Sequence, residues 1–86
     1  MNISRKEQRT LNVLALGGRI EVERSPGGKV VDVMCVTRDG AILSDCALET
    51  FQRLRRRRLI ESRGGAPYRI SYRGRLSVRA QLDNQG

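Results

Sequence analysis

The chain has 86 residues, of which 38% are hydrophobic and 30% charged, so it can build one small core and is too apolar for simple disorder. No apolar run approaches the roughly 20 residues needed to span a bilayer, and the first ten residues lack the apolar centre of a secretory signal, so we expect a cytoplasmic protein with no membrane contact. The net charge of +8 is uneven: residues 1–50 carry seven basic and seven acidic side chains, whereas residues 51–86 carry ten arginines against two carboxylates.

The first predicted element is a helix within residues 3–18. Ser4 and Glu7 have the spacing of a capping box, in which each side chain satisfies a free backbone N–H of the other. Leu11 and Leu14 mark the apolar stripe that faces the core. The Gly-Gly pair that follows is typical of a helix end, because glycine readily adopts left-handed backbone angles.

A β-hairpin is predicted next. The segment RIEVER (residues 19–24) alternates apolar and charged side chains, which indicates a half-exposed strand. The segment KVVDVMCVTR (residues 29–38) is predicted as a second, more buried strand, and the SPGG between them has the composition of a turn. Val30, Met34 and Val36 lie on one side of the second strand, and we assign them to the core rather than to a dimer face.

The segment SDCALETFQRLRRRR (residues 44–58) is predicted as an amphipathic helix that is capped by Ser44 or Asp45. Its solvent face collects three arginines: Arg53, Arg56 and Arg57. Arg55 and Arg58 fall towards the apolar side, so we expect the helix to fray there or their stems to extend outward. The solvent face of the predicted helix is therefore an arginine stripe.

A second hairpin is predicted from LIES and PYRIS, which are joined by RGGA. Gly64 and Gly65 supply its turn, and Arg63 and Arg69 lie near its tip or outer face. YRGRLSVRAQ is predicted as a last short helix. Residues 1–80 are expected to form a single domain and residues 81–86 a frayed C-terminal tail.

The predicted fold is a small α+β domain with the order helix–hairpin–helix–hairpin–short C-terminal helix or tail. A basic helix followed at once by a glycine-tipped basic hairpin is the layout of a winged-helix module, whose helix enters the DNA major groove while the wing contacts the neighbouring backbone. The usual tri-helical form has another helix where this chain has its first hairpin. We therefore describe the fold as winged-helix-like.

The sequence offers little for catalysis or for metal binding. It has no histidine, so the commonest general base is missing, and two cysteines alone fall short of the four ligands of a structural zinc site. Cys46, near a helix start, is the one candidate nucleophile, but no base stands beside it in sequence. Cys35 and Cys46 are predicted to be buried thiols, and the protein to be a non-enzyme without metal or cofactor.

The arginine surplus instead favours an anionic partner. On nucleic acid, arginines that neutralise phosphates release counterions, and affinity then falls steeply with salt. The predicted contact residues are Arg53, Arg56, Arg57, Arg63 and Arg69. An acidic protein surface is an equally good counterpart, RNA is not distinguished from DNA, and a solvated basic face without a dedicated ligand also stays open.

Several stretches along almost the full length resemble one family: SRKEQRTLNVLALGGRI, LSDC, the F...L...LI helix exit, PYRI and SVRAQLDN. Together they resemble the YjhX-type toxins of bacterial toxin–antitoxin systems. The resemblance implies a small winged-helix-like protein that binds and inhibits bacterial DNA topoisomerase I and is neutralised by an antitoxin protein.

The residues alone support a second hypothesis, a winged-helix DNA-binding module such as a small transcription regulator. Groove binding predicts that loss of Arg53, Arg56 and Arg57 abolishes function with a strong salt dependence. A protein interface predicts a few desolvated anchors, and a loss of charge that mainly slows association.

Overall fold

The structure is a computed structural model that describes residues 3–44 and 46–84, with side chains up to residue 80. Within these residues the chain forms three helices and two antiparallel sheets, which confirms a small mixed α/β domain. The elements in chain order are α1 (Arg5–Ala15), β1 (Arg19–Arg24), β2 (Val30–Val36), β3 (Ile42–Leu43), α2 (Leu48–Arg56), β4 (Ile60–Glu61), β5 (Arg69–Ile70) and α3 (Tyr72–Asn84).

Both ends of α1 follow the signals in the sequence. Ser4 is the N-cap residue, and its Oγ accepts a hydrogen bond of 3.1 Å from the backbone N–H of Glu7. At the other end Gly17 has a φ of +102°. The N–H groups of Gly17 and Gly18 donate to carbonyls of the last turn, which is the Schellman closure. The predicted helix is therefore confirmed together with its start and stop.

The predicted first hairpin is formed by β1 and β2, which pair antiparallel. Ile20 and Cys35 lie opposite each other on its inner face, and both are fully buried. The assignment of Val30 and Val36 to the core is confirmed, whereas Met34 is 39% exposed and lies on the outer face. β3, a two-residue strand that pairs with the end of β2, was not predicted.

The second helix begins later than predicted. α2 starts at Leu48, with Ala47 in the N-cap position and no side-chain cap. Ser44 lies in a turn, so it is not the cap, and Asp45 lies outside the described residues. The physical reason is that β3 pairs with β2 and Cys46 then enters the core, so the chain turns into the helix only after these contacts are made.

α2 ends inside the arginine run. Arg58 has a φ of +60°, a left-handed conformation that costs a non-glycine residue about 1 kcal/mol. Its N–H donates to Arg55 O, and the N–H of Leu59 donates to Leu54 O, both at 3.0 Å. These bonds form a second Schellman closure with arginine in the usual place of glycine. The helix therefore stops at Arg56, and Leu59 enters the core.

The start of α3 is fixed by the same segment. Ser71 Oγ donates to the carbonyl of Arg58 at 2.7 Å and accepts from the N–H of Gly74 at 3.0 Å, so Ser71 caps α3 while bound to the end of α2. The predicted second hairpin, formed by β4 and β5, leads directly into this cap. α3 runs to Asn84, within the segment predicted as a tail, and residues 85–86 of that segment lie outside the described residues.

The core lies between the helices and the inner faces of both sheets. Phe51 of α2 is fully buried and meets the Tyr68 ring edge-to-face, with 4.9 Å between centroids. Tyr68 also exchanges two backbone hydrogen bonds of 2.8 and 2.9 Å with Ile20, which joins the two sheets. Within the described part of the chain, no helix is long and apolar enough to cross a membrane.

Candidate functional site: an arginine-rich surface

The end of α2 presents three exposed arginines, Arg55, Arg56 and Arg58, which we call the arginine cluster. Among the described residues, none of the three has a carboxylate partner within ion-pair distance. Arg55 and Arg58 were predicted to fall towards the apolar side. Both are exposed, in agreement with the expected fraying or outward extension: Arg55 is exposed within α2, and Arg58 leaves the helical path after the helix stops at Arg56. The cluster therefore shares only Arg56 with the predicted stripe of Arg53, Arg56 and Arg57.

Two of the predicted site residues serve the fold. Arg57 Nη1 lies 3.3 Å from Glu7 Oε2, and Arg53 Nη1 lies 3.9 Å from Glu7 Oε1. The Glu7 side chain is only 3% exposed, so this carboxylate is enclosed between α1 and α2. Arg53 also binds the exposed carboxylate of Glu49 at 2.7 Å, one helical turn earlier. Arg53 and Arg57 therefore tie the two helices together through Glu7.

The second hairpin places the two remaining predicted residues differently. Arg63 is 86% exposed at the hairpin tip and lies 3.4 Å from Glu61, an exposed pair of little energetic weight. Arg69 turns towards the end of α1, where its Nη1 lies 3.4 Å from the carbonyl oxygens of Gly17 and Gly18. Of the five predicted contact residues, Arg56 and Arg63 are thus the best placed to meet a ligand.

The contact of Glu7 with two arginines of α2 was not predicted from the sequence. Its position three residues after Ser4 indicated a capping role, and the structure shows its backbone N–H in that bond while its carboxylate binds arginines 46 and 50 residues away along the chain. A pattern within a few residues of sequence cannot predict a contact between residues so far apart along the chain. The remaining signal was the excess of arginine in residues 51–86, because most of the acidic side chains that could pair with these arginines lie in residues 1–50.

The two cysteines meet in the core. Cys35 is fully buried and Cys46 is 8% exposed, which confirms the predicted buried thiols. A hydrogen bond to Cys35, together with burial, raises the pKa of the Cys46 thiol well above its usual range. The same hydrogen bond lowers the pKa of Cys35, and burial opposes that shift. Cys46 is therefore held protonated at neutral pH, the opposite of what a nucleophile requires.

This arrangement predicts slow thiol chemistry in the folded protein. Both thiols should react with a disulfide reagent at pH 8 at least about 100-fold more slowly than in guanidinium chloride, because attack needs a thiolate that the reagent can reach. Absorbance of the released chromophore measures the two rates. A fast native phase of one thiol equivalent would contradict the burial of this pair.

Among residues 3–44 and 46–84, no group of three or more histidine, cysteine, aspartate or glutamate side chains is placed to hold a metal ion.

A family model described as "Putative toxin of bacterial toxin-antitoxin pair" matches residues 1–85. The chain is 74% identical to a UPF0386 protein of Cereibacter sphaeroides over 86 residues, which cover all of this chain and 99% of the relative. It is 66% identical to a UPF0386 protein of Rhodospirillum rubrum over 86 residues, covering all of this chain and 96% of the relative. No solved structure matches the chain significantly.

Proposed function

Because the chain belongs to the YjhX toxin family of bacterial toxin–antitoxin pairs, we propose that it acts as a non-catalytic toxin that binds and inhibits DNA topoisomerase I. The activity is the one that the family resemblance implies. The observation that carries the proposal is the arginine cluster, whose three exposed guanidinium groups have no carboxylate partner among the described residues. Such a surface favours an acidic protein face or the phosphates of DNA.

An antitoxin partner follows from family membership. We propose that it covers the arginine cluster and the tip of the second hairpin with acidic side chains. Opposite charge across an interface mainly accelerates encounter and selects the partner. An antitoxin bound there would also block access of the same arginines to the enzyme, which accounts for neutralisation without a second site.

DNA binding is the second candidate, and a specific arrangement favours it. α2 is followed at once by the β4–β5 hairpin, whose tip carries Gly64, Gly65 and the exposed Arg63. We propose that this pair corresponds to the recognition helix and wing of a winged-helix-like module. In this arrangement β1 touches the second hairpin through the backbone hydrogen bonds between Ile20 and Tyr68.

The test is relaxation of supercoiled plasmid by bacterial topoisomerase I in the presence of this protein. The informative variant is R56E/R63E, which reverses two exposed charges and leaves the contacts of Glu7 intact. We expect it to weaken inhibition at least about tenfold, because reversed charges repel the partner at its interface. The matched control is R24E/K29E, which makes the same change of charge on the first hairpin and should inhibit like the wild type.

Repeating the assay with about tenfold more plasmid separates the two candidates, because binding to DNA is titrated by DNA. Inhibition that persists and follows the enzyme concentration supports binding to the enzyme. Inhibition that extra plasmid relieves supports the DNA-binding module. If the wild-type protein fails to inhibit at any ratio, the proposed activity is wrong for this chain.

A further inference from the structure

The outer face of the first hairpin carries three carboxylates: Glu21 is paired with Arg19 at 3.4 Å, and Asp32 accepts a hydrogen bond from the backbone N–H of Val33 at 2.9 Å. Glu23 and Asp32 lie directly opposite each other on β1 and β2, and neither has a cationic side chain within ion-pair distance among the described residues. Like charges in directly opposed positions destabilise a sheet. Beside them, Glu21 lies opposite the 39% exposed Met34. We call the surface formed by Glu21, Glu23, Asp32 and Met34 the hairpin face.

This face is concave as well as acidic. Its carboxylates and Met34 line a groove of about 240 Å³, together with Val22 and Val33. The exposed Met34 beside acidic side chains suits an apolar segment flanked by positive charges. All residues that line the groove belong to β1 and β2, so none of them is part of the arginine cluster.

The outer side of α3 has the matching composition. Tyr72 is 76% exposed and Leu76 is 47% exposed, and they lie one turn apart on the same side of the helix. Arg75 and Arg79 flank them and are exposed, with no carboxylate partner among the residues whose side chains are described. We call the surface formed by Tyr72, Leu76, Arg75 and Arg79 the α3 face.

We propose that the hairpin face of one copy of this protein binds the α3 face of a second copy. Tyr72 and Leu76 would cover Met34, and Arg75 and Arg79 would meet the opposed carboxylates of the hairpin. Both faces remain exposed within one chain, so neither satisfies the other there.

Made reciprocally about a two-fold axis, the two contacts would close a dimer in which each copy supplies one hairpin face and one α3 face. This closure would remove from solvent the large apolar side chains of both faces. It would also place cations beside Glu23 and Asp32, whose opposition is unfavourable in the isolated chain. The arginine cluster belongs to neither face and stays available for the proposed function.

The test is a charge swap measured by sedimentation equilibrium. At on the order of 100 µM the wild-type protein should be dimeric, because association follows protomer concentration by mass action. E23K/D32K makes both faces positive and R75E/R79E makes both negative, so each variant alone should raise the dimer dissociation constant at least about tenfold. An equimolar mixture should recover a dimer, since each face of one variant then opposes the reversed face of the other.

Several results would overturn the proposal: a monomeric wild-type protein, single variants that remain dimeric, or a mixture that stays monomeric. Far-UV circular dichroism of each variant checks that it is folded. If E23K/D32K misfolds, E23Q/D32N replaces it, and we expect it to raise the dimer dissociation constant by a smaller factor. R24E/K29E is the control for net charge and should dimerise like the wild type.

Discussion

Gly74→Ala is expected to be the most damaging single-methyl change in this protein. A Cβ atom at position 74 would lie 2.2 Å from the carbonyl oxygen of Leu59 and 2.7 Å from Cγ1 of Ile70. This clash can be relieved only if α3 moves away from the backbone of the segment that follows α2. We expect a loss of about 3 kcal/mol or more, since overpacking against backbone cannot relax through a side-chain rotamer.

Local preference predicts the opposite sign at this position. Gly74 lies in the first turn of α3, and alanine is favoured over glycine in a helix by about 1 kcal/mol. The tertiary contact outweighs the helix propensity of alanine, because Ser71 binds both the carbonyl of Arg58 and the N–H of Gly74. These two bonds hold the start of α3 close to the segment that follows α2. Glycine at this position therefore serves close approach of two backbones.

Urea unfolding followed by circular dichroism measures the effect. Gly27→Ala is the matched control, because a Cβ atom there would meet only Ser25 Oγ at 3.9 Å and the position has no left-handed backbone angle. We expect the control to change the free energy of unfolding by less than about 0.5 kcal/mol. Equal stability of the G74A variant and the control would show that α3 does not pack this closely.

Local signals in the sequence predicted the elements whose ends are decided within a few residues. The Ser4 cap, the Gly17 closure and the hairpin turns all belong to this class, and they appear where expected. The missed strand β3 has only two residues and depends on pairing with β2, so its own composition does not indicate it. The left-handed conformation of Arg58, two residues after the last residue of α2, was not predicted, because glycine is the residue that usually adopts it.

The candidate site was predictable as a region and less so residue by residue. The excess of arginine in residues 51–86 correctly indicated where positive charge would be exposed. Helical periodicity placed Arg53, Arg56 and Arg57 on one face, but it carries no information about an acidic partner on another helix. Arg53 and Arg57 form ion pairs with the carboxylate of Glu7, whereas the exposed Arg56 does not.

Glu7→Gln should lower the free energy of unfolding by about 2 kcal/mol, because it removes the charge from a buried, hydrogen-bonded carboxylate. Glu7 is 3% exposed and accepts from Arg57 at 3.3 Å, with Arg53 at 3.9 Å. Glu49→Gln is the matched control, since it removes the other carboxylate bound by Arg53 at a site 74% exposed. That exposed pair should contribute less than about 0.5 kcal/mol.

A double-mutant cycle of E7Q with R57Q isolates the interaction and should give a coupling free energy of about 1 to 2 kcal/mol. The single variant R57Q should be at least as destabilised as E7Q, because it leaves a carboxylate enclosed between two helices, whereas E7Q leaves an arginine that is 35% exposed and can be hydrated. Additive effects in the cycle would mean that Glu7 and Arg57 do not act as a pair. If the coupling is present, loss of inhibition in an Arg57 variant reports lost folding, and the binding surface must be mapped with Arg55, Arg56, Arg58 and Arg63.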